Sequence, residues 1–112
     1  MYSMKDFENR LFLEFTELEE RLQKLTAFLE NEENAEKRKA IDEKHLAMMY
    51  YQHSGMEVYR NALMDRINDL GFLEYPLVNV GEIITTDKDE VLRCTAVDPV
   101  SFEPLFEKVS TL

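Results

Sequence analysis

The segment "YYQHSGMEVYRN", residues 50–61, gathers the side chains with the greatest chemical capacity in the chain. His53 stands beside Ser54, Tyr50 and Tyr51 precede them, Tyr59 follows, and His45 lies just upstream. Such residues suggest a serine activated by a histidine, or a metal held by two histidines. Each chemistry has a geometric requirement. A general base must touch its nucleophile and be oriented by a third group, yet neighbours on a helix point about 100° apart. No GxSxG elbow is present, so Ser54 reads as a surface hydroxyl. His45 and His53 fall within about 80° of each other on a helix but more than two turns apart, whereas a helical zinc pair sits one turn apart. There is no HExxH and no third ligand at useful spacing, so no metal site is expected. A small enzyme using His45 and His53 would need acids borrowed from the opposite helix or another subunit.

The remaining candidates are similarly bland. Glu32/Glu33, Asp65/Asp69 and Asp87/Asp89 are acid pairs in a chain with 23 Asp and Glu, and none shows the desolvating cleft that acid–base work needs. "DKDE" at 87–90 reads as a solvated hairpin turn, unlike an oxygen-rich calcium loop. The three glycines, at 55, 71 and 81, make no phosphate-binding loop. Cys94 is the lone cysteine, which excludes an intrachain disulfide and a multi-cysteine zinc site. It adjoins Arg93, but strand alternation sends the two to opposite faces, so it reads as a core residue. No catalytic residue, cofactor or metal is assigned.

The elements behind these residues are helical first. From Ser3, an expected N-cap with Asp6 three positions on, Leu11, Phe15, Leu18, Leu22, Leu25 and Leu29 recur at steps of four and three. Phe7, Phe12 and Phe28 widen that seam into a helix over 3–31. "ENEENAEKRK" lacks any large apolar side chain and reads as a connector with a frayed turn from Asn34. Asp42 caps a second helix, 42–70, whose seam runs Leu46, Met49, His53, Met56, Arg60, Leu63, Ile67, Leu70, with Tyr59 broadening it. Gly55 sits awkwardly inside it, at a close crossing or a slight bend. Gly71 suits a left-handed closing residue, with Phe72 folding back on Ile67. Two long helices and a modest connector return antiparallel as a helical hairpin.

After Pro76 the pattern changes. "LVNVGEIITT" and "EVLRCTAV" predict a β-hairpin over 77–97, and Asp98–Pro99 ends it. The tail, 98–112, is expected to form a short turn or helix from Pro104, with Phe102, Leu105, Phe106 and Val109 tying it down. The fold class is therefore α+β in a single domain of 112 residues.

Composition bounds the partners. The net charge is −10, and acids exceed bases throughout: ten against seven in 1–40, six against three in 41–75, seven against three in 76–112. Such a surface repels nucleic acid and anionic membrane, and suits a partner protein with a basic surface. No apolar run reaches spanning length, and the start "MYSMKDFENR" lacks a secretory signal, so a cytoplasmic setting is expected. Tyr50, Tyr51 and Tyr59 with Met48, Met49, Met56 and Met64 give the second helix more adaptable apolar surface than one neighbour requires. Self-association into a dimer or docking on another protein explains the excess, chiefly Met48, Tyr51 and Leu73. The expected partner-binding residues are Met48, Tyr51, Met56 and Tyr59, together with the acids Asp87, Asp89 and Glu90.

"LEERLQKLTAFLE", the charged connector and "IDEKHLAMMYYQHSGMEVYRNALMDRI" resemble small helical-hairpin proteins of tailed bacteriophages and prophages, among them relatives of a crAss-like phage gene product. The likeness covers roughly residues 18–70. It rests on Leu22, Leu25, Phe28 and Leu29, on Ile41-Asp42-Glu43, on Gln52, Met56, Tyr59 and Leu63, and on Arg66-Ile67. His53, Ser54 and Gly55 depart from the usual charged or alanine-rich helix centre. The resemblance implies expression in the host cytoplasm during infection and carries over no catalytic residue. The functional expectation is a phage accessory protein that binds a host or phage protein. In that role it inhibits a host defence or nucleic-acid-processing factor in the manner of an anti-CRISPR protein, one version being an acidic decoy for a nucleic-acid groove. The alternative is a homo-oligomeric structural or regulatory helical module with no inhibitory task.

Overall fold

A computed structural model describes residues 5–111, without the side chains of Ser110 and Thr111. The element order is α1 (Asp6–Glu30), a 3-10 turn (Glu32–Asn34), α2 (Ala35–Lys39), α3 (Glu43–Leu70), β1 (Ile83–Thr85), β2 (Glu90–Val97) and β3 (Pro104–Thr111). The α+β class and the long helical pair are as the spacing predicts. The chain divides into two compact units, Met1–Arg66 and Ile67–Leu112.

In the first unit the leucine spacing of α1 becomes a buried seam. Leu11, Phe15, Leu18, Leu22 and Leu29 are buried, and Leu25 is half-buried. The Phe12 and Phe15 rings stack with centroids 6.4 Å apart. Phe7 is exposed, so the seam is narrower than expected at that end. The expected cap at Ser3 lies outside the described residues. Within them α1 opens after Lys5, whose amide donates to the Glu8 carboxylate at 2.8 Å, a local bond that suits the helix start.

The connector packs no large side chain, yet it does specific work at the end of α1. Asn34 Nδ2 donates to the Ala27 carbonyl at 3.1 Å. Arg38 donates to the Phe28 and Asn31 carbonyls at 2.8 and 2.7 Å. A helix leaves its last carbonyls unpaired, and a cation there also complements the negative end of the dipole. The polar run "ENEENAEKRK" is thus a cap as well as a link.

α3 starts one residue after Asp42 and runs about 42 Å at 1.5 Å per residue. Leu46, Met49, His53, Met56 and Arg60 are half-buried, and Leu63, Met64 and Ile67 are buried. These include the expected seam, except that Tyr59 and Leu70 are exposed. The heptad stripe Met49, Met56, Leu63, Leu70 drifts about 20° per repeat on a 3.6-residue helix, which carries its last member off the face.

Three side-chain bonds fix how α1 and α3 pair. Tyr50 Oη donates to the Leu29 carbonyl at 3.3 Å, Thr26 Oγ1 meets His53 Nε2 at 2.7 Å, and Glu19 holds Arg60. Moving three and then seven residues back along α1 moves three and then seven forward along α3. Equal and opposite steps define an antiparallel pair with one register.

In the second unit α3 ends as its sequence signals. Gly71 has φ +65°, and its amide donates to the Ile67 carbonyl at 3.2 Å. Ile67 and Phe72 are both buried. The Asn68 side chain then makes two bonds to Leu77, accepting from its amide at 2.8 Å and donating to its carbonyl at 2.9 Å.

The strands form one antiparallel sheet in the order β1-β2-β3. Two expectations change here. β1 spans three residues, because Leu77–Glu82 runs irregularly, though Gly81 and Glu82 still exchange backbone bonds with Cys94. The tail forms a full third strand, not a helical turn. Pro104 opens β3, where the missing amide costs little, and Phe106 pairs with the buried Cys94 while Leu105, Glu107 and Val109 point outward. That third strand relieves the marginal stability of a lone hairpin. Asp98 turns the chain between β2 and β3: its Oδ1 accepts from the Val100 and Ser101 amides at 2.8 and 2.9 Å. Those backbone bonds, Ser101's first, hold its carboxyl below the ordinary aspartate range.

Candidate functional site

α3 carries two chemically different faces, and the inner one holds the histidine. His53 Nε2 meets Thr26 Oγ1 at 2.7 Å and its Nδ1 meets Glu57 Oε1 at 3.0 Å. A carboxylate can only accept, so Nδ1 is the donor to Glu57, and when Nε2 carries no proton it accepts from the threonine hydroxyl. The order of atoms, carboxylate to imidazole to hydroxyl, is that of an activated nucleophile. The setting is not. Thr26 lies inside α1, where the backbone amides are engaged along the helix, so no pair of amides is free to receive an oxyanion. The chain of bonds joins two helices at a partly buried point, and a structural clip is the chemistry it supports.

The same face holds a second polar clip. Arg60 Nε reaches Glu19 Oε2 at 2.6 Å, with both side chains less than one-fifth exposed. Arg60 also donates to Asn61. His45 is exposed and apart from this group, and Ser54 donates to the Tyr50 carbonyl one turn back. Among the described residues no group of three His, Cys, Asp or Glu is placed to share a metal ion.

The outer face is where the predicted contact residues fall. Met48, Tyr51, Gly55, Val58 and Ala62 follow one another at steps of three and four, with Gln52 and Tyr59 alongside. Met48 is 55% exposed, Tyr51 84%, Val58 70% and Tyr59 45%. Between Lys44 and Asp65 the only Asp, Glu, Lys or Arg residues are Glu57 and Arg60, and both are tied into the clips of the inner face. The outer face is therefore about four turns of uncharged surface on a chain of net charge −10. Contiguous exposed apolar surface of this extent is uncommon on a soluble protein.

The predicted set divides accordingly. Met48, Tyr51 and Tyr59 come together on this face. Met56 lies with the half-buried residues of the inner seam. Asp87, Asp89 and Glu90 lie in the β1–β2 turn of the second unit, where Thr86 Oγ1 accepts from the Lys88 and Glu90 amides and Asp89 takes φ +59°. Asp87 and Asp89 are exposed and Glu90 is half-buried, so the turn is a solvated acidic tip. Val58 is a member that sequence reasoning passed over. Its signal was its place three residues past Gly55, in step with Met48 and Tyr51.

A family model described as Sequestin matches residues 5–69. No curated protein matches the chain at a significant level, and no solved structure does. The matched span holds α1, the connector and nearly all of α3, and it ends before β1. The clips and the uncharged outer face both lie within it. The chain belongs to the Sequestin family.

Proposed function

We propose that this protein acts by binding and holding a partner without transforming it, and that its contact surface is the outer face of α3. The observation that carries the reading is the four-turn strip of Met48, Tyr51, Val58 and Tyr59, exposed and uncharged on an otherwise acidic chain. Tyrosine and methionine supply large adaptable contact area, so the partner class this face fits is another protein. The family's name speaks of sequestration, an act of binding, and is in keeping with it.

The narrower version is a phage accessory protein that withholds a host defence or nucleic-acid-processing factor. The net charge of −10 favours it, because an acidic chain is drawn to the basic grooves of such factors. In that version the acidic tip at Asp87, Asp89 and Glu90 adds long-range attraction while α3 supplies the contact.

The test is capture of binding proteins on immobilised wild-type chain beside Tyr51→Lys and an Asp87→Lys/Asp89→Lys variant. Proteins held by wild type and lost by Tyr51→Lys support the α3 face, provided both chains melt at the same temperature. Equal retention by all three chains refutes it. Loss with the tip variant at low salt, together with wild-type retention that falls as salt rises, supports the acidic version; wild-type retention independent of salt refutes it.

A further inference from the structure

Gly55 lies at the centre of the outer face, and nothing among the described residues explains it. A Cβ built at this position would meet nothing within 4 Å. Glycine inside a helix costs about 1 kcal/mol relative to alanine. No crossing among the described residues uses the space. The sequence around it is arranged in pairs: Tyr51 and Tyr59 lie four residues to either side, and Met48 and Ala62 seven.

We infer that the outer face of α3 is a homodimer interface in which two copies of α3 cross antiparallel at Gly55. The inference rests on the binding role proposed for this face and names its occupant as a second copy of the chain. A two-fold axis through Gly55 sets glycine on glycine, Tyr51 on the other copy's Tyr59, and Met48 on its Ala62. Such self-matching is what an isologous interface requires. The absent side chain lets the two backbones approach closely at the crossing.

Charge permits the same occupant. Two chains of net charge −10 repel, and the outer face offers four turns of approach without an acid. At its ends stand Lys44 on one side and Asp65, Arg66 and Asp69 on the other. The same two-fold sets each Lys44 opposite the other copy's Arg66, with that copy's Asp65 and Asp69 flanking the two cations. The area is sufficient but small. The four large side chains leave on the order of 500 Å² uncovered per copy, so two copies bury about 1,000 Å² in all, the lower bound for a specific interface. An interface at that limit is expected to be weak and reversible.

The experiment is sedimentation equilibrium of the full chain from about 5 to 300 µM, for wild type, Gly55→Arg and Tyr51→Lys. Arginine is a good helix former and has open space at this position, so Gly55→Arg should fold with an undiminished melting temperature. It places a charge at the crossing, and at least a tenfold weaker dimer is expected. Wild type forming a dimer that Gly55→Arg loses supports the inference. A monomeric wild type at the highest concentration, or a Gly55→Arg chain that dimerises equally well, overturns it. If the wild type is monomeric but Tyr51→Lys still abolishes partner capture, the homotypic inference falls and the binding face stands. If Tyr51→Lys alters neither mass nor capture, both fall.

Discussion

Removing the Glu19–Arg60 pair tests the register of α1 against α3, on which the division of α3 into inner and outer faces depends. Arg60 Nε lies 2.6 Å from Glu19 Oε2, and the side chains are 17% and 13% exposed. A fully exposed ion pair is worth about 0.2–1 kcal/mol, and breaking a buried one by deleting one partner costs about 3–5 kcal/mol. This pair is mostly desolvated but keeps an edge in water, so Arg60→Ala should cost about 2–3 kcal/mol. For a chain of this size that is a fall in Tm of roughly 10 °C. A double-mutant cycle with Glu19→Ala, followed by urea unfolding, should return a coupling of about 1–2 kcal/mol. Part of the single-mutant cost is the stranded charge, which the double mutant relieves. A coupling below about 0.3 kcal/mol would mean the two groups are apart in solution, and the register would be refuted.

Three further outcomes follow from single residues. Gly71→Ala forces a side chain into φ +65° at the end of α3 and should cost about 1 kcal/mol in urea melts, with no change if that conformation is not adopted. Cys94 is 1% exposed with its thiol directed at the Ala96 carbonyl, so a thiol reagent should label it only as the chain unfolds; rapid labelling of the native protein would contradict its place in the sheet. Asp98 has a native pKa depressed by the Ser101 and Val100 amides, so its contribution to stability is present above the unfolded carboxylate pKa and is lost as pH falls through the native one. The stability gap between wild type and Asp98→Asn should therefore shrink on acidification, and a gap constant with pH would remove that role.

The helical half was legible in the sequence because its signals are local. Leu11 to Leu29 step by four and three, Met49 to Ile67 do nearly the same, and Gly71 marks the stop. The tail misled because Pro104 can open either a helix or a strand. Residues 105–109 do not alternate apolar with polar, so the ladder that β2 supplies is what made the tail a strand. Met48 and Tyr51 could be recognised as surplus once the inner seam was full. The partners of His53 and Arg60 could not. They lie 27 and 41 residues away, and periodicity says which face a residue takes but not how far one helix slides along another. The capping work of Asn34 and Arg38 was hidden for a similar reason, since a charged run without apolar residues looks like any solvated link.

Adjacent methionines of α3, Met48 exposed and Met49 half-buried, offer the most direct measurement. Peroxide oxidation of the native chain, resolved by peptide mass spectrometry, reports Met48, Met49, Met56 and Met64 in one time course. In dilute protein Met48 should oxidise fastest, Met49 and Met56 more slowly, and the buried Met64 last. On raising the protein concentration or adding a captured partner, Met48 alone should slow. Met48 and Met49 reacting at equal rates, or a bound state that leaves Met48 as reactive as before, would contradict an outer face built for binding.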